Sequence, residues 1–191
     1  TPYTSWEPEG ESHTVEQLVD QVQATACRHV VITGGEPMLF GEMSEFTRQL
    51  TVLGVHITIE SAGTIDQPVR CDLMSISPKR PNSTPSVQQA GAWSARHEQT
   101  RHNPRVMRRL LQDYEYQLKF VVAAASDIDD VFEYLREFPE VDRDRVWLMP
   151  EGTTVERLAQ VSEWLADACL AKGFRFCPRR HIEWFGNVRG K

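Results

Sequence analysis

The chain has 191 residues, 40% of them apolar and 25% charged, with a formal net charge of −6. That is enough for one globular domain with a real core. No stretch approaches the roughly 18 consecutive apolar residues that a membrane span needs. The acidic balance argues against a broad nucleic-acid surface, since phosphate binding requires concentrated Lys and Arg. A basic segment from Arg96 to Arg109 is the local exception, read as a solvated face or as a contact for an anionic redox partner.

In chain order, Thr14 and Gln17 form a capping pair, and Leu18, Val22 and Ala26 recur on one face, which predicts a helix. His29 to Thr33 reads as a buried strand that runs into Gly34-Gly35-Glu36-Pro37. Met43, Phe46, Leu50 and Leu53 lie at helical spacing over residues 42–53, closed by Gly54. Strands follow at Val55–Glu60 and Leu73–Ser77, then a long polar loop at about residues 80–103 rich in Pro, Asn and Ser. A basic helix is expected over residues 104–113, a strand from Gln117 to Val122 and a helix from Asp127 to Phe138. The strand Val146–Met149, the helix Val155–Lys172 and a last strand Phe174–Cys177 complete the series. Alternation of this kind predicts a parallel sheet in an α/β fold, open or partly closed into a barrel, in one domain without repeats.

Each strand ends in residues suited to a ligand: Thr33-Gly34-Gly35-Glu36, Glu60-Ser61-Ala62-Gly63-Thr64, Ser77-Pro78-Lys79, and Met149-Pro150-Glu151-Gly152, with Lys119 inside the fourth. Parallel strands bring such endings to one rim, where α/β proteins hold small molecules. Glycines leave bare backbone against which a ligand can lie, and Glu36 can accept hydrogen bonds from an ammonium group. The pattern reads as a pocket for a molecule with an amino group.

Thr33-Gly34-Gly35-Glu36-Pro37 resembles the Gly-Gly-Glu motif of radical S-adenosylmethionine enzymes, which holds the methionyl amino group. With Glu60-Ser61-Ala62-Gly63-Thr64, Ser77-Pro78-Lys79 and the ending His181-Ile182-Glu183-Trp184-Phe185-Gly186-Asn187, nearly the whole chain resembles the 7-carboxy-7-deazaguanine synthase family. The resemblance implies a partial TIM-like (β/α)6 radical-SAM barrel, a single core domain over residues 1–191 that lacks its first strand and cluster loop. It implies a 4Fe–4S cluster, S-adenosylmethionine and Mg2+ as cofactors. The implied reaction is ring contraction of 6-carboxy-5,6,7,8-tetrahydropterin to 7-carboxy-7-deazaguanine with loss of ammonia, a step of queuosine and deazapurine biosynthesis. A flavodoxin-like or other reductant, a homodimer and a cytoplasmic location belong to the same expectation.

The same resemblance distributes roles. Gly34, Gly35, Glu36, Ser77, Pro78, Lys79, Met149, Pro150, Glu151 and Gly152 would contact S-adenosylmethionine. Thr33, Glu60, His181 and Lys191 would contact the pterin, and Thr1 would bind Mg2+. Read as bare residues, several keep a second meaning. Thr33 can cap a helix. Lys79 can be a solvated lysine, and Glu60 is either an ordinary strand-end acid or a carboxylate facing paired N–H groups. Glu151 can simply complement the next helix dipole, and His181 can be a packed or surface histidine.

The family holds its cluster with three cysteines, commonly Cys-x3-Cys-x2-Cys, shortly before a Cys-Asp-Thr segment. None of these is present. Cys27, Cys71, Cys169 and Cys177 are scattered, with no CxxC pattern, and are expected to be reduced and mostly buried, with Cys27 in a helix. A cluster needs thiolates gathered around iron. The chain opens on Thr1-Pro2-Tyr3 without Met, which fits an enzyme cut just after its last cluster cysteine. The competing readings are another radical S-adenosylmethionine enzyme, such as a glycyl-radical activase, and a cluster-less module that binds S-adenosylmethionine or a nucleotide.

Overall fold

The first helix starts at a reciprocal cap. The Thr14 hydroxyl accepts from Gln17 N at 3.2 Å, and the Gln17 side chain accepts from Thr14 N at 2.9 Å. This satisfies two of the donors that a helix start leaves open. The structure, a computed structural model, describes residues 11–188, which fall into two compact units, one up to Tyr116 and one from Gln117.

In the first unit, α1 (Val15–Thr25), β1 (His29–Ile32), α2 (Met43–Val52), β2 (His56–Ser61) and β3 (Leu73–Ile76) alternate as expected. The three strands are parallel, with Ile32 opposite Ile59 and Ser61 opposite Ile76. Along β2, Ile57, Ile59 and Ser61 are buried while His56, Thr58 and Glu60 are not, so successive residues face opposite sides of the sheet. Met43, Phe46 and Leu50 line the buried side of α2.

Several expectations are corrected here. Val31 is 58% exposed, so β1 is not the buried strand its three β-branched residues suggested. Cys27 lies beyond the end of α1, because Ala26 takes a left-handed conformation and stops the helix. Only Cys169 is buried; Cys27 is exposed, and Cys71 and Cys177 are half-buried.

The stretch expected as a loop holds a 3-10 turn at Pro81–Ser83 and two helices, α3 (Val87–Ala90) and α4 (Ala92–Thr100). None of the α4 residues is buried, so α4 carries no apolar stripe for a sequence pattern to reveal. Polar contacts hold it instead: Arg96 lies 4.5 Å over the Trp93 ring, and Arg101 reaches back to Glu98 at 2.9 Å. The next helix, α5 (Pro104–Asp113), has the expected bounds, with Asn103 accepting from Val106 N at 3.4 Å and Pro104 in the first turn, where its missing N–H costs nothing. It buries Val106, Met107, Leu110 and Leu111.

The second unit carries β4 (Tyr116–Val122), α6 (Ala125–Arg136), β5 (Val146–Pro150), α7 (Val155–Lys172), β6 (Arg175–Phe176) and α8 (Arg180–Phe185). Its strands are again parallel, with Val122 opposite Pro150 and Leu148 opposite Phe176. The helix α6 starts at Ala125 rather than Asp127, because the Asp127 carboxylate caps it from inside, accepting from Ala123 N at 2.7 Å and Ala124 N at 3.1 Å. Phe120, Tyr134 and Phe138 stack in the core, with ring centroids 5.5 Å and 5.0 Å apart in sequence along that series. β6 is shorter than expected, spanning Arg175–Phe176.

Candidate functional site at the strand ends

The Gly-Gly loop leaves β1 in a conformation that only glycine adopts easily. Gly34 has φ +152°, with open space where a Cβ would stand, and Thr33, Gly34 and Gly35 are all exposed. The main chain here is therefore bare toward solvent.

Glu36 turns inward and fastens this loop to the end of β2. Its carboxylate accepts from Met38 N at 3.1 Å, from Ala62 N at 2.7 Å, and from the Ser61 hydroxyl at 3.0 and 3.1 Å to its two oxygens. Ser61, only 4% exposed, also accepts from Gly63 N at 3.0 Å, and its carbonyl accepts from Ser77 N at 2.8 Å. The ends of all three strands of this unit are thus tied through Ser61. Charge-assisted bonds of this kind are the stronger ones in proteins, and they preorganise the loop. Sequence reasoning passed over Ser61 as a site residue, because its importance comes from the register that places it opposite Ile76 and beside Glu36.

Thr33 does not cap a helix. Its hydroxyl donates to Glu60 at 3.1 Å, so the two residues expected at the substrate stand together. Ser77 and Lys79 are half-buried and Pro78 is buried. Arg101 donates to the Lys79 carbonyl at 3.3 Å, and Thr84 donates to Glu98 while meeting His97 Nδ1 at 3.4 Å. Burial lowers the pKa of His97 below its ordinary value. The helix α4 is thereby strapped to the Ser-Pro-Lys segment.

In the second unit, Met149 to Gly152 follow β5, and Glu151 N donates to the Val122 carbonyl at 2.8 Å. Glu151 does more than sit at a helix start: its carboxylate accepts from Arg157 Nε at 3.1 Å. Gly152 has φ +153°, and a Cβ there would stand 2.8 Å from Arg157 Cγ. Arg179 Nη1 donates to the Gly152 carbonyl at 2.8 Å. His181 is exposed in α8, a helix not foreseen from the sequence. Thr1 and Lys191 lie outside the described residues.

No protein-family model matches the chain. It is 41% identical over 191 residues to the 7-carboxy-7-deazaguanine synthase of Rhodopirellula baltica, covering all of this chain and 74% of that protein. The chain belongs to the 7-carboxy-7-deazaguanine synthase family. The synthase of Halobacterium salinarum is 36% identical over 190 residues, covering 94% of this chain and 74% of that protein. That of Pyrobaculum aerophilum is 30% identical over 184 residues, covering 93% of this chain and 74% of that protein. The crystal structure of QueE from Escherichia coli shares the fold, with a TM-score of 0.59 at 21% identity over 94% of this chain and 71% of that one. Membership of the synthase family displaces the activase reading, and the fold likeness agrees with the expected parallel α/β architecture.

Family membership implies S-adenosylmethionine and a 4Fe–4S cluster in general terms. The exposed Gly34–Gly35 backbone fits the first. Among the described residues, no three His, Cys, Asp or Glu side chains gather to hold a metal, so they do not fit a cluster. No helix among them is long and apolar enough to cross a membrane.

Proposed function

We propose that this protein catalyses the radical ring contraction of 6-carboxy-5,6,7,8-tetrahydropterin to 7-carboxy-7-deazaguanine, with release of ammonia. The observation that carries this reading is the 41% identity to a synthase over all 191 residues, strand-end motifs included. S-adenosylmethionine, when bound, supplies the hydrogen-abstracting radical chemistry.

The chain's own residues bind and orient. Gly34 and Gly35 leave main-chain carbonyls open to the methionyl ammonium. Glu36 holds that loop rigid and adds negative charge beside it, which favours a cation. Ser77, Pro78 and Lys79 line the same cofactor, with Lys79 offering a cation to a carboxylate or ribose. Met149, Pro150, Glu151 and Gly152 pass its adenine. On the substrate side, Glu60 receives the paired N–H groups of the pterin's guanidine-like edge, and Thr33 steadies it through their 3.1 Å bond. His181 and Lys191 close over the pterin, and Thr1 holds Mg2+. Exact placement of the reacting atoms is worth several powers of ten in rate, which makes such a rigid rim useful. One functional core over residues 1–191, a homodimer, a flavodoxin-like reductant and a cytoplasmic location complete the reading.

Complementation tests it in a cell. The full coding sequence, expressed in a bacterial strain lacking its own deazaguanine synthase, is expected to restore queuosine to tRNA. Soluble expression without queuosine would overturn the assignment.

A further inference from the structure

Two guanidinium groups lie near one carboxylate at the strand ends of the second unit. Glu151 is paired with Arg157 at 3.1 Å, and Arg157 also donates to the Ala123 carbonyl at 3.4 Å. Arg179 is half-buried beside them and donates to the Gly152 carbonyl at 2.8 Å. Its Nε is sealed from solvent and has no hydrogen-bond partner among the described residues. The nearby acid is the same Glu151, already engaged, while Glu183 pairs with Arg180 at 2.7 Å. The half-buried thiol of Cys177 is the other titratable group nearby.

The network therefore keeps one positive charge in excess. Burial lowers the Arg179 pKa, yet a guanidinium remains charged at any ordinary pH. A desolvated cation with an unmade hydrogen bond costs stability unless a partner arrives. The partner with matching geometry is a carboxylate, which can take two parallel N–H bonds from the guanidinium fork. Strained or unsatisfied charge of this sort gathers at functional sites.

We propose that Arg179 binds the carboxylate of a ligand at the end of β5 and β6. The inference rests on the function proposed above, which offers two carboxylates: that of the methionyl group of S-adenosylmethionine, and the 6-carboxylate of the tetrahydropterin. Ligand arrival lets the Arg179 guanidinium, with its unpaired Nε–H, turn onto the carboxylate, while Glu151 stays with Arg157.

Dissociation constants, read without reduction or turnover on protein made from the full coding sequence and reconstituted with iron and sulfide, decide the matter. The probes are S-adenosylmethionine, its decarboxylated analogue, 6-carboxy-tetrahydropterin and tetrahydropterin without the carboxylate. Arg179→Gln is expected to weaken one carboxylate ligand by about tenfold or more, with the matching carboxylate-free analogue unchanged. Whichever ligand responds identifies the source. Arg179→Lys, which keeps the charge and one donor for Gly152, is expected to fall between wild type and Arg179→Gln. It also carries the comparison should the glutamine variant fail to fold. Equal losses for a ligand and its carboxylate-free analogue, or no loss for either ligand, would overturn the proposal. A wild-type protein that forms no deazaguanine would count against the function alone, because these affinities are read without turnover.

Discussion

Ser61 has one hydroxyl proton and sets it between the two oxygens of Glu36, at 3.0 and 3.1 Å. Removing either partner leaves buried groups unmatched, which costs about 1–3 kcal/mol. Ser61→Ala and Glu36→Gln should each lower stability by that amount in urea denaturation. Their double variant should lose less than the sum, with a coupling of about 0.5–3 kcal/mol, because both break one network. Additive losses would show that the carboxylate and hydroxyl act independently. The thiols give a second residue-scale test. Burial, aided by the Asp72 charge, pushes the Cys71 pKa up from 9.0 to about 12, and burial pushes Cys169 up to about 11. Thiolate is the reactive form, so iodoacetamide at pH 8 should label exposed Cys27 first and Cys71 and Cys169 last, read by peptide mass spectrometry. These raised values favour the neutral thiol in the fold. Their contribution to stability is whole below pH 9 and is lost as pH rises toward about 11 to 12. Early labelling of Cys71 would contradict its burial.

Elements with a clear local signal could be read directly: α2 from its apolar spacing and α1 from its cap. What could not be read depended on partners distant in sequence. α4 buries nothing, so its helical state rests on Arg96 over Trp93 and on the Arg101–Glu98 pair. The roles of Ser61 and Arg179 follow from strand register and from the loop after β5, neither of which a local pattern encodes. The rim motifs at Gly34–Glu36 and Ser77–Lys79 were legible because they sit where predicted strands end. The two strand-end glycines also separate strain from crowding. Gly34 and Gly152 have nearly the same φ, +152° and +153°, but an added Cβ meets open space at the first and lies 2.8 Å from Arg157 Cγ at the second. Gly34→Ala should cost about 1–3 kcal/mol from backbone strain. Gly152→Ala should cost more than Gly34→Ala, since Arg157 must also shift away from Glu151. Equal thermal shifts in the two variants would contradict the crowding at Gly152.

At the scale of the whole molecule, two α/β units each present parallel strand ends, and the chain shares its family with proteins named 7-carboxy-7-deazaguanine synthase. The first unit carries the bare Gly34–Gly35 loop fastened by Glu36. The second carries Arg179 beside the engaged Glu151. Product formation is the most direct measurement. Protein from the full coding sequence, reconstituted with iron and sulfide, is supplied with S-adenosylmethionine, a reductant and 6-carboxy-5,6,7,8-tetrahydropterin. The expected result is 7-carboxy-7-deazaguanine with ammonia released in equal amount. Reductive cleavage of S-adenosylmethionine with the pterin recovered unchanged would contradict the account.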